Sequence, residues 1–117
     1  QGVSSAASDV YKRQLQHRAA DMFVEIESSR SMVAYAVAMC GEPDGAARRR
    51  AMSAVKSRLG RAMRFVGQQA VQLHGAIGMT EEYPASHYFR KLTLLGMMFG
   101  DTEHHLSRLA EHQDLAN

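Results

Sequence analysis

Residues 52 to 73 carry the pattern that most limits the fold. Met52, Val55, Leu59, Ala62, Val66, Gln69 and Leu73 recur at alternating three- and four-residue steps, which holds them on one side of an α-helix. A stripe of this kind has to be buried against other elements. On a wheel of about 100° per residue, Arg50, Arg61 and Arg64 fall roughly opposite it and face solvent or a partner. Gly60 and Gly67 sit inside the same helix. Each costs about 1 kcal/mol relative to Ala, which predicts close approach by another backbone.

The flanking segments are also helical. Between Leu15 and Cys40 there is no Pro or Gly, and Ala19, Met22, Phe23, Ile26, Met32 or Val33, Ala36 and Val37 recur at helical spacing. Gly41, Pro43, Asp44 and Gly45 then supply a stop and a turn. HGAIGMTEEYP, residues 74 to 84, breaks the pattern with two glycines and a proline and reads as a loop. Ser86 to Met98 resumes helical character, with Tyr88, Leu92, Leu95 and Met98 or Phe99 as its apolar face. Gly100 and Asp101 end it, and Asp101 is placed to N-cap a last helix from Thr102 to Leu115. Short connections between amphipathic helices favour antiparallel neighbours, so the expected class is all-α, a four-helix up-and-down bundle.

At 117 residues and 45% hydrophobic content, the chain makes one domain at most. Residues 1 to 14, rich in small residues and poor in apolar periodicity, read as a non-native or disordered leader, either translated adaptor sequence or a frayed terminus. The bundle domain is then 15 to 117. One cysteine, Cys40, excludes an internal disulfide and makes a cytoplasmic setting the default. No run approaches a membrane span.

Net charge is only +2, yet no Asp or Glu lies between Asp44 and Glu81 while seven Arg or Lys do. Arg48, Arg49, Arg50, Lys56, Arg58, Arg61 and Arg64 spread around much of their helix, and no aromatic residues interleave to stack bases. That argues against nucleic acid. It leaves a solvated face as the first reading, with attraction to anionic lipid or to the phosphates of a nucleotide cofactor or substrate as the alternatives. Asp101, His104, His105 and His112 share a helix. Adjacent His104 and His105 point to different sides and no HExxH accompanies them, so no metal site is assigned.

The run QLHGAIGMTEEYPASHYFRKLTLLGMMFGDTEHHLSRLA resembles the acyl-CoA dehydrogenase signature, in which Gln-x-x-Gly-Gly-x-Gly-x-Thr-x-Glu-Tyr-Pro precedes an Arg-containing helix. The match falls at Gln72, Gly75, Gly78, Glu82, Tyr83, Pro84 and Arg90. Upstream, LQHRAADMFVEIESSRSM resembles the opening of that family's C-terminal helical domain, at Gln16, His17, Ala20, Asp21, Met22, Glu25 and the Arg30-Ser31 pair. The resemblance implies a piece of an FAD-dependent oxidoreductase that converts an acyl-CoA substrate to a trans-2-enoyl-CoA. It further implies assembly into homo- or hetero-oligomers and electron delivery to a separate acceptor. Gln72, Gly75 and Ala76 would touch the FAD of a neighbouring subunit, with Ala76 replacing the family's second glycine. Glu103 matches a position that contacts the adenosine portion, and also suits the first turn of a helix.

In that family the catalytic base is a glutamate just before a Gly-Thr pair. Counting without gaps from Gln72, the position is Phe99, followed by Gly100 and Asp101. Phenylalanine cannot accept a proton, so no catalytic residue is assigned here. A glutamate elsewhere in a longer chain, a catalytic partner subunit, or loss of dehydrogenation would each account for the substitution. FGDTEHHLSRLA resembles the small subunits of heteromeric acyl-CoA dehydrogenases of the pimeloyl-CoA and steroid side-chain type, which favours the partner.

Overall fold

A computed structural model of the chain describes residues 2–76 and 85–116, with side-chain surroundings at 6–76 and 86–111. It contains four helices: α1 (Gly2–Met39), α2 (Gly45–Ala76), α3 (Ala85–Met97) and α4 (Thr102–Ala116). The all-α four-helix class follows directly. Two boundaries differ from expectation. The helix expected to start near residue 15 starts at Gly2, so α1 takes in residues 2–14 as well. Beyond Gly2 no Gly or Pro interrupts them, and adding residues to a formed helix avoids the cost of a new nucleus. At the other boundary, α2 continues through His74, Gly75 and Ala76, which were expected to open a loop. The rest of that loop, 77–84, lies outside the described residues.

α1 and α2 are antiparallel, and three contacts fix their register. Tyr11 Oη donates to the Ala76 carbonyl at 2.6 Å, Arg18 Nη1 to Gln72 Oε1 at 3.0 Å, and Arg58 Nη1 to Glu25 Oε2 at 2.7 Å. The inward edge of α1 is half-buried Met22, Glu25, Ser29, Met32 and Ala36. Of the two alternatives, Met32 rather than Val33 turns inward, and Phe23 and Val37 are exposed instead of packed. The hydrogen bond and charge of Glu25 hold the Arg58 guanidinium above its ordinary pKa, against the opposing effect of desolvation. A raised value for a cation means that the charged guanidinium favours the folded state, a contribution that requires an ionised Glu25 and is lost as the guanidinium deprotonates at high pH.

α2 is the hub, since α1, α3 and α4 each pack on it. Of the expected stripe, Val55 and Ala62 are buried, and Met52, Leu59, Val66, Gln69 and Leu73 are half-buried. A second buried set, Ser53, Ser57 and Gly67, lies on the opposite side of the helix. It receives α3 and α4. A Cβ added at Gly67 would meet Phe89 Cδ2 at 2.7 Å, and one at Gly60 would collide with the Thr102 side chain. The close approach expected at these glycines is therefore made by side chains rather than backbone. Phe89 and Leu92 form the inward edge of α3, while Tyr88, expected there, is exposed, because the Phe89 ring occupies the space over Gly67.

Lys56 Nζ caps the end of α3 by donating to the carbonyls of Leu95 and Gly96 at 3.3 and 3.1 Å. The chain then bends through Phe99 at φ 59° and Gly100 at φ 94°. After the bend α4 proceeds toward the N-terminal end of α2, with Thr102 beside Gly60 and His105 beside Ser53. α3 and α4 thus both run counter to α2. Asp101 Oδ1 accepts from the His104 backbone N–H at 2.8 Å, the N-cap expected of it.

The assembly is open. Its radius of gyration is 18.7 Å, against about 13 Å for a compact domain of this size. Among the described residues only Ala51, Val55 and Ala62 are buried apolar positions, while Phe23 is 64% and Val37 69% exposed. An apolar groove of about 390 Å³ runs between the helices, lined chiefly by Ile26, Val33, Met63, Val66 and Leu92.

Gly67→Ala should destabilise the fold by about 1–2 kcal/mol, because overpacking against Phe89 outweighs the gain in helix propensity. Urea denaturation measures this, and stabilisation would show that the ring moves freely. A double-mutant cycle on Glu25→Ala and Arg58→Ala should return a coupling of roughly 1–2 kcal/mol for this half-buried, charge-assisted pair. Coupling near zero would remove the pair from the forces that hold α1 on α2.

Candidate functional site

Gln72, Gly75 and Ala76 occupy the last two turns of α2, and all three are exposed. The side-chain amide oxygen of Gln72 is taken by Arg18, which leaves its NH₂ group as the available donor. Gly75 is open, with nothing within 4 Å of where a Cβ would stand. The Ala76 carbonyl accepts from Tyr11. A helix ends in unpaired carbonyls and a partial negative charge. This end of α2 is accordingly suited to donors and flat apolar surfaces, and unsuited to phosphate. Gly75 is still helical, so the loop expected from residue 74 does not begin there.

Glu103 stands apart from these three. It lies in the first turn of α4, exposed, at the rim of a cleft of about 330 Å³ between α2, α3 and α4. Thr102, its neighbour, packs at Gly60, which is roughly 18 Å along α2 from Gln72 at 1.5 Å per residue. The four residues therefore form two stations along one helix. Arg64 and Gln68 line the same cleft and lie between the stations.

Phe99, at the position where a carboxylate base was sought, is 88% exposed in a left-handed conformation. Its carbonyl accepts from His105 Nε2 at 2.9 Å, while His105 Nδ1 lies 3.1 Å from Ser53 Oγ. A carbonyl only accepts, so Nε2 carries the proton, and in the neutral ring Nδ1 takes the Ser53 hydroxyl. Ser53 is buried and both ring nitrogens are occupied. The Ser-His pair thus braces the bend and offers no nucleophile to a substrate. Among the described residues, no three His, Cys, Asp or Glu side chains gather as a metal cluster. The side chain of His112 lies outside the described set.

Tyr11 and Arg18 were not anticipated at this site. They approach α2 only through the register of α1 on α2, and no local pattern announces a contact 65 or 54 residues away. His74 Nδ1 lies 2.7 Å from the Ala70 carbonyl, within its own helix. No described helix is long and apolar enough to cross a membrane.

Comparison with known proteins identifies the family. Residues 10–113 match the family model for the acyl-CoA dehydrogenase C-terminal domain. Over 95 residues the chain is 30% identical to "Acyl-CoA dehydrogenase IpdE2" of Mycolicibacterium smegmatis, covering 81% of this chain and 28% of that protein. The chain thus spans little more than a quarter of its curated relative. No solved structure matches. The matched span takes in all four helices, both stations on α2 and the bend at Phe99, and on that basis the chain belongs to the acyl-CoA dehydrogenase family, as its C-terminal domain.

Proposed function

We propose that the chain is part of an FAD-dependent acyl-CoA dehydrogenase subunit, in which it supplies helical interface and one portion of the FAD site. The reading rests above all on the family match across residues 10–113, which includes Gln72 and Glu103. Residues at both stations are compatible with FAD. The open surface at Gly75 and the free Gln72 amide N–H groups suit a flat ring edged with acceptors. Glu103 offers a carboxylate to hydroxyl or amino donors at the other station. Ala76 adds one methyl group beside the open surface, the smallest departure from glycine. FAD supplies the hydride acceptor for α,β-oxidation of the acyl thioester. The acyl-CoA substrate and the electron-transfer acceptor belong to the assembled enzyme.

Phe99 contributes no proton acceptor. The base comes from another polypeptide or from a segment outside these residues, and the resemblance to heteromeric small subunits favours a partner subunit. The unpacked faces of α1 and α3, with Phe23, Val37 and Tyr88 exposed, support a hetero- or homo-oligomer. A scaffold that binds FAD and a catalytic partner without reacting itself is the second reading, favoured by the exposed Phe99.

Gln72→Ala in the assembled enzyme should weaken FAD binding about tenfold, the loss of one or two hydrogen bonds, with helix content unchanged. Flavin fluorescence titration measures it, and an unaltered affinity would remove Gln72 from the site. Bound flavin in the full-length subunit should bleach on addition of acyl-CoA only when the partner is present. Bleaching by the subunit alone would contradict a base supplied in trans.

A further inference from the structure

The basic stretch of α2 is only partly explained by the fold. Three of its seven cations are used internally: Arg48 donates to the Glu42 carbonyl, Lys56 caps α3, and Arg58 pairs with Glu25. Arg61 and Arg64 are exposed and have no hydrogen bond or ion pair. They stand one helical turn apart, an arrangement that costs a few tenths of a kcal/mol in like-charge repulsion. Arg64 lines the cleft between α2, α3 and α4, whose floor includes the apolar Phe89, Leu92 and Met97. Arg61 lies outside that cleft, in a separate hollow on the α1 side with Phe65, where, among the described residues, the carboxylate present is Glu25, already paired with Arg58. Among the described residues, carboxylates enter the cleft at the start of α4: Asp101, its N-cap, bound to the His104 N–H, and Glu103. The cleft therefore carries the Arg64 guanidinium on its α2 side, with Arg61 one turn away outside it, and carboxylates at the α4 end, with apolar side chains between.

We propose that Arg61 and Arg64 form a binding site for the diphosphate group of a nucleotide, whose organic portion rests on the floor of the cleft. Two guanidinium forks a turn apart offer bidentate donors to adjacent phosphates, which suits a diphosphate better than a single anion. The carboxylate of Glu103 repels phosphate but accepts from hydroxyl and amino groups, so it orients the ligand with its diphosphate toward α2. The choice of a nucleotide rests on the family reading above. FAD and coenzyme A both carry such a diphosphate, and the shared chemistry is what Arg61 and Arg64 recognise.

Calorimetric titration of the 117-residue chain at low salt with inorganic pyrophosphate, ADP and adenosine tests this. Pyrophosphate and ADP should bind, with ADP the tighter, and adenosine should bind far more weakly. The Arg61→Gln/Arg64→Gln variant should lose about tenfold or more in ADP affinity, whereas Arg49→Gln/Arg50→Gln, which removes equal charge elsewhere on α2, should lose less than about twofold. Equal losses in the two variants would reduce the effect to a diffuse field and overturn the site, as would ADP binding unaffected by Arg61→Gln/Arg64→Gln. Displacement of ADP by FAD or by coenzyme A identifies the source. If ADP does not bind while FAD binds in a Gln72-dependent manner, the diphosphate site fails and the FAD reading stands. If ADP binds through Arg61 and Arg64 while the assembled enzyme does not bind FAD, the site stands and the FAD reading fails.

Discussion

Everything in this domain hangs on the packing of α2 from two opposite sides. On one side Ala51, Val55 and Ala62 receive α1, and on the other Ser53, Ser57, Gly60 and Gly67 admit α3 and α4. The small side chains on the second side let Thr102 and the Phe89 ring approach the helix axis. Close contact there is dispersion over short distances, which is sensitive to a single added methyl. The polar members are satisfied in place, Ser57 through the Ala54 carbonyl and Ser53 through His105. The same side thus holds both α3 and the bend that presents Phe99.

A hub with three helices laid on it does not close a core. α1 and α3 face one another across an apolar groove without packing together, and large apolar residues remain on their outer surfaces. Apolar burial at about 25 cal/mol per Å² is the main stabilising contribution to a fold, and here much of it awaits further surface. Exposed apolar surface of this extent is the kind that contacts further protein. The residues of the two stations, Gln72, Gly75, Ala76 and Glu103, are likewise exposed.

Helix number and the dominant stripe were legible in the sequence because apolar spacing is a local signal. The α2 stripe, the 41–45 turn and the Asp101 cap all needed only neighbours within a few residues. The second face of α2 was not legible, since Ser53, Ser57 and Gly67 carry no hydrophobic mark and their burial depends on what lies opposite. Phe89 and Tyr88 are adjacent aromatics, and which one turns inward is decided by the space over Gly67. The extent of α1 was misjudged because residues 2–14 lack apolar periodicity, although nothing in them stops a helix. At the candidate site, Gln72, Gly75, Ala76 and Glu103 were chosen by family resemblance. Their separation into two stations, and the parts played by Tyr11, Arg18 and Arg64, depend on long-range register.

The central claim is that α2 organises a domain whose apolar faces require further surface for full stability. Thermal unfolding followed by circular dichroism across a hundredfold range of chain concentration, with sedimentation at each concentration, tests it most directly. The account predicts a midpoint that rises with concentration in step with association, since binding of the folded form stabilises it by mass action. A monomer that unfolds cooperatively at a high, concentration-independent midpoint would contradict it.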